Sequence, residues 1–233
     1  MKQMIPKKDI LKIVTLSFFG LAAIEIIGEF LYSDFIISLS KPLLLPLILF
    51  IYWYNSEKPS KVYIVALLLN WSANVLFLSV VSDVIFVATI LFMLSRFFIL
   101  ITIFEKLRNL NFVPILIGSI PFLFLFTYLI YLIYEEVFGY TVIVNLLQSL
   151  FISVIGGFAL GNFIMKSDEA SKYLLVASLC FALNIFALGV KYYYLDLGFL
   201  KPVAMIFFIA GHFVFLRFMT ISEREKIIVN QQK

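Results

Sequence analysis

Residues Val84–Phe104 read VIFVATILFMLSRFFILITIF, an apolar run with one charged side chain, Arg96, close to its centre. About 20 apolar residues rising roughly 1.5 Å each span the roughly 30 Å hydrocarbon core of a bilayer, so the run predicts a membrane-crossing helix. A guanidinium keeps its proton there. A cation at mid-bilayer costs at least roughly 2.5–3.5 kcal/mol. The helix must therefore turn Arg96 toward other helices, a polar partner or a water-filled cavity, and the remaining segments read as walls around that point.

The rest of the chain repeats the pattern. Of its 233 residues 63% are hydrophobic and only 14% are charged, with a mean hydropathy of +1.07. A soluble domain cannot hide so much apolar surface, so the expected fold class is all-α, a polytopic integral membrane protein. The net charge of +4 does not point to nucleic acid, because the basic residues lie in short loops and not on one basic face. Cys180, the single cysteine, falls inside an apolar run and excludes an intrachain disulfide. A single histidine makes a multi-histidine metal site impossible within one chain. No cofactor is expected.

Eight apolar segments stand out, at about 10–32, 35–54, 62–80, 84–104, 112–134, 140–164, 172–190 and 199–218. The first follows Lys2, Lys7 and Lys8 as a signal peptide would, but it continues to Tyr32, and its only small-residue pair, Ala22-Ala23, lies mid-run. A first transmembrane helix is expected instead. The short loops leave no room for a soluble domain, so residues 1–233 read as one helical-bundle domain.

Loop charges give an independent check. Eight crossings with a cytoplasmic N-terminus place Lys2, Lys7, Lys8 and Lys12, Lys58 and Lys61, Lys106 and Arg108, Lys166 and Lys172, and Arg217, Arg224, Lys226 and Lys233 on one side. That is 14 of the 18 basic residues, against Lys41, Lys191 and Lys201 opposite. The positive-inside rule then puts both termini in the cytoplasm. The expected location is a bacterial inner membrane, given the small size and the lack of sorting signals.

Local features refine the segments. The second must begin near Phe35 to be long enough, which brings Lys41 inside the membrane boundary, with Pro42 and Pro46 interrupting early backbone bonds. Lys41 either snorkels to the outer headgroups or serves a pocket. Gly157-x-x-x-Gly161 puts two small residues on one helix face for close packing. Tyr52, Trp53, Tyr54 and Tyr192–Tyr194 sit at segment ends, as interfacial anchors do.

Counting inward from the outer boundary at about 1.5 Å per residue, Glu25, Lys41, Asn74, Tyr128, Asn145, Gln148 and Asn184 fall roughly 7–12 Å deep. Asn70 is deeper, and Arg96 and His212 reach roughly 18–20 Å. This one-sided distribution predicts a polar cavity opening outward, with Arg96 and His212 near its floor. Glu25 and Glu29 share a face of the first helix, as Asn70 and Asn74 share one of the third. Glu25 is the expected counter-ion of Arg96. Amides in membrane helices also serve as interhelical hydrogen bonds worth about 0.6 kcal/mol, and lone histidines as packing residues. Both alternatives stay open for Asn145, Gln148 and His212.

In the order and spacing of these motifs the chain resembles the lysoplasmalogenase family of YhhN-type membrane proteins. Members have eight helices, with Lys-Pro opening the second, here Lys41-Pro42. A Gly-Asp pair in their third corresponds to Ala73-Asn74, and Phe-x-x-x-His in their fourth to Phe92-x-x-x-Arg96. Phe-x-x-Ser-Asp in their seventh, followed by a Leu-Ala-rich stretch, corresponds to Phe181-Ala182-Leu183-Asn184 and Ile185–Leu188. The resemblance implies vinyl ether hydrolysis of lysoplasmalogens, with two aspartates as acid and base. Such chemistry needs groups that exchange protons. Asn74, Asn184 and Arg96 stand at those positions and do not. A diverged member that has lost or altered the reaction is the expectation, with Glu25 and His212 the remaining proton-exchanging groups.

Three functions follow. The first is a site for a lysophospholipid-like ligand using Lys41, Glu25, Asn70, Gln148 and His212, with Lys41, Lys191 and Lys201 near the phosphate and Arg96 below. The second is a non-catalytic protein that binds or senses membrane lipid. The third is a small-solute transporter built on an Arg96–glutamate pair; the chain carries no internal repeat of the kind transporters use.

Overall fold

A chain segment surrounded by hydrocarbon must satisfy its own backbone polar groups, and a single apolar run does so only as a helix. The computed structural model describes residues 6–107, 111–133 and 139–231, with side chains as far as Lys226. Lys2, Arg108 and Lys233 of the basic loop residues, and the last residue of the fifth segment, lie outside the described residues. Eight helices make up the regular structure among those described: α1 (Lys7–Phe30), α2 (Asp34–Asn55), α3 (Lys61–Leu76), α4 (Ser82–Lys106), α5 (Phe112–Ile133), α6 (Tyr140–Lys166), α7 (Glu169–Tyr193) and α8 (Leu200–Gln231). Seven of them are long and apolar enough to cross a membrane. The chain is an all-helical integral membrane protein.

Two helix ends differ from expectation. α3 stops at Leu76 and not at residue 80. The Leu78 and Ser79 amides turn back to Val75 O and Leu76 O, which tightens the last turn, and Ser79 Oγ then accepts from the Val81 amide at 3.1 Å to lead into α4. At 16 residues, α3 is the one helix too short to span by length alone. α8 runs 13 residues past residue 218, to Gln231. Its buried stripe Phe208, His212, Phe215, Met219 and Glu223 keeps helical spacing through the boundary.

Polar caps set several of the starts. Ser33, Ser60 and Asp168 accept from the amides of Ile36, Tyr63 and Ser171 ahead of α2, α3 and α7. Each odd-numbered helix packs chiefly on its successor, and α8 also touches α1, α2 and α4. In α2, Pro46 has no N–H for the Pro42 carbonyl, and the indole of Trp71 on α3 donates to that oxygen at 2.8 Å.

Between α5 and α6 the packing is backbone on backbone. A Cβ on Gly118 would meet Gly157 O at 2.9 Å, and one on Gly161 would meet Pro114 O at 2.8 Å. The Gly157/Gly161 face thus serves the close approach its spacing predicts.

Candidate functional site

Buried charge gathers in three places along the bundle. The first joins α1, α2 and α8. Glu25 and Glu29 lie one turn apart on α1, and Lys41 Nζ sits 3.7 Å from Glu25 and 3.0 Å from Glu29. Lys201, from the first turn of α8, reaches the other oxygen of Glu29 at 2.9 Å. Ser40 donates to Glu25 as well as to the Ile36 carbonyl. Lys41 is buried, so it closes an ion-pair cluster and does not snorkel.

The second gathering fills the gap between α3, α4, α7 and α8, in the middle of the bundle. Arg96 is fully buried. Its guanidinium carbon lies 4.6 Å from the ring centroid of Phe92 and 4.3 Å from that of Phe181. None of its three nitrogens has a hydrogen-bond partner among the described residues. Cation–π contacts are worth about 2 kcal/mol each when desolvated, which offsets part of the cost of burying the charge. The same Phe181 ring stands 5.1 Å from the imidazole of His212, which packs on Phe208 at 4.6 Å.

A chain of amides leads into this cluster. Asn74 Nδ2 donates to Asn70 Oδ1 at 2.7 Å and to the Asn70 carbonyl at 2.9 Å, and Asn70 Nδ2 lies 3.0 Å from His212 Nε2. Asn184 on α7 donates to Ala204 O of α8 at 2.8 Å, and its Oδ1 is buried without a partner among the described residues. His212 Nδ1 is in the same condition. Among the described residues the centre therefore holds five unpartnered buried polar atoms, three of them the nitrogens of the guanidinium itself, beside Asn184 Oδ1 and His212 Nδ1.

The third gathering lies at the end of the bundle where α2, α4 and α8 finish. Glu223 accepts from Tyr52 at 2.6 Å, from Lys106 at 2.9 Å and from Ser56 at 2.5 Å, while Tyr52 Oη accepts the Ser60 amide at 2.7 Å. Neither Glu223 nor Lys106 stands out in the sequence as a site residue. The buried stripe of α8, carried one turn past the apolar run, is the signal that finds Glu223.

Several expectations are corrected by this geometry. Glu25 is not the counter-ion of Arg96. α1 packs on α2 and α8 and makes no close approach to α4 among the described residues, so the two side chains share no interface. Lys41 and Lys201 are paired with glutamates, and Lys191 pairs with Asp196 across the α7 end, so each of the three lysines expected near a phosphate already faces a carboxylate. Tyr128 is half exposed on the outside of α5. Tyr52 is completely buried by its bond to Glu223 and is no interfacial anchor.

Asn70, Asn74, Arg96, Asn184 and His212 are brought together. Gln148 is buried in α6 and Asn145 is half-buried beside it, yet neither hydrogen-bonds to Arg96 or His212. Asn70, Asn74, Arg96, Asn184 and His212 are enclosed, with none more than 7% exposed, so they do not line the outward-opening cavity that their depths predict. Comparison of the chain with models of protein families, with curated proteins and with solved structures finds no match.

Proposed function

We propose that this protein is a diverged lysoplasmalogenase-type membrane protein that binds an anionic, lysophospholipid-like amphiphile at the Arg96 centre and does not carry out the family's hydrolysis. One observation supports the reading above the others. Arg96 is sealed in the bundle with all three guanidinium nitrogens unpartnered among the described residues, held between two aromatic faces. A planar fork of donors in low dielectric is matched by the paired oxygens of a phosphate. Binding requires the four surrounding helices to part enough to admit the headgroup.

The chemistry of the neighbours supports binding without turnover. Vinyl ether hydrolysis needs a proton delivered to the alkene carbon and a water activated for the oxocarbenium that follows. The amides at Asn74 and Asn184 exchange no protons, and Asn74 is already committed to Asn70. A transporter built on an Arg96–glutamate pair loses its premise, since Glu25 and Glu29 are engaged with Lys41 and Lys201.

We also infer eight crossings, with the shorter α3 among them, both termini cytoplasmic, and residence in a bacterial inner membrane. The 14-to-3 division of basic residues supports the even count.

The test uses purified protein incubated with lysoplasmalogen, beside the double reversion Asn74→Asp with Asn184→Asp. The reading expects lysolipid retained on the native chain with no aldehyde released. Steady aldehyde release by the native chain would show an active hydrolase, and no retention of lysolipid would remove the binding role.

A further inference from the structure

The start of α1, the end of α2 and the stretch of α8 from Thr220 to Arg224 line an open cavity of about 370 Å³, away from the Arg96 centre. Lys7 and Lys8 enter it from the first turn of α1, Arg224 from α8, and Asn55 and Glu57 from the end of α2. Glu223 also borders it, but Tyr52, Ser56 and Lys106 already engage its carboxylate. Three cations thus face the space against one uncommitted acid, Glu57. Two of the cations are held against the α2 wall. Lys7 Nζ lies 5.3 Å from the ring centroid of Tyr54, and Arg224 donates to Asn55 Oδ1 at 3.4 Å.

The cavity has an apolar side as well. Leu11, one turn further along α1, forms part of its wall, and Ile13 and Leu16 beyond it face outward from the bundle. A positively charged recess at a helix end, with an outward apolar side elsewhere on the same helix, has the two halves a phospholipid needs. Phosphate oxygens find Lys and Arg donors, and acyl chains find hydrocarbon-facing side chains. Free phosphate shares the headgroup chemistry but has no use for the apolar wall.

We propose that this cavity is a second ligand site, binding the phosphate headgroup of an anionic phospholipid through Lys7, Lys8 and Arg224, with the acyl chains along the outward face of α1. The site is independent of the Arg96 centre and shares none of its residues.

The test places the full chain in phosphatidylcholine nanodiscs doped with phosphatidylglycerol and measures retained lipid by native mass spectrometry. Phosphatidylglycerol should be retained over phosphatidylcholine. Lys7→Gln, Lys8→Gln and Arg224→Gln should each weaken retention about fivefold, the effect of about 1 kcal/mol per cation at a membrane surface. Lys58→Gln removes an exposed charge outside the cavity and should change nothing. Each of the three substitutions should cause the same loss in an Arg96→Met background as in the native chain, which separates the two sites. Equal retention of the two lipids, or equal loss in Lys58→Gln, would overturn the proposal. Displacement of the lipid by inorganic phosphate would overturn the lipid assignment in favour of a free-anion site. Should any variant lose its helical circular dichroism, the lipid preference of the native chain decides alone.

Discussion

Asn70 Nδ2 and His212 Nε2 lie 3.0 Å apart, and the direction of that hydrogen bond is set one residue away. Asn70 Oδ1 is occupied by the Asn74 amide, so Asn70 presents its NH₂ to the imidazole, which must accept on Nε2 and carry its proton on Nδ1. Asn74→Asp inverts this relay. The new carboxylate only accepts, so Asn70 turns its NH₂ toward it and offers its oxygen to His212, pulling the imidazole proton to Nε2. As the only histidine in the chain, His212 gives a single nitrogen NMR signature. We expect a change from the Nδ1–H to the Nε2–H form; an unchanged tautomer would refute the relay.

Glu223 ties α2, α4 and α8 together through side chains that are nearly all buried. Glu223→Gln strands Lys106 without its carboxylate, and breaking a buried pair typically costs roughly 3–5 kcal/mol. The double variant Glu223→Gln with Lys106→Met should recover much of that loss. Denaturant unfolding in detergent measures both. Additive losses in the double variant would mean that the two side chains act separately.

The eight helices and their approximate limits were legible because run length and hydropathy report on the membrane directly. The Gly157/Gly161 face and the Asn70/Asn74 pair were legible because helical periodicity places residues four apart on one side. Partners across helices were not. Sequence gives the depth of Glu25 and Arg96 but not the order of helices around the bundle, and α1 and α4 turn out to lie apart. The end of α3 depended on Ser79 turning the chain, and the extension of α8 on Glu223 finding Tyr52 and Lys106. The Ser79 turn is local but sits inside an apolar run that hides it, whereas the bonds of Glu223 join residues far apart in sequence.

Packing of α5 on α6 is tested by two glycines with opposite surroundings. A methyl group on Gly161 meets the Pro114 carbonyl, which is backbone and cannot swing away. Gly161→Ala should therefore destabilise by about 1–3 kcal/mol, the usual range for overpacking. Gly20 in α1 has nothing within 4 Å of its added Cβ. Gly20→Ala should stabilise by roughly 0.5–1 kcal/mol through helix propensity. Thermal unfolding of both variants reads the contrast, and equal shifts would show that the interface is looser than described.

Arg96, held between Phe92 and Phe181, is the proposed anion-binding centre. The most direct measurement is thermal unfolding of native protein and Arg96→Met, each with and without lysophosphatidylethanolamine. Removing an unpaired intramembrane cation should raise the stability of the ligand-free variant by up to roughly 3 kcal/mol. The lysolipid should stabilise the native chain and leave Arg96→Met unmoved. If the lysolipid raises the unfolding temperature of Arg96→Met as much as that of the native chain, Arg96 is not where the anion binds.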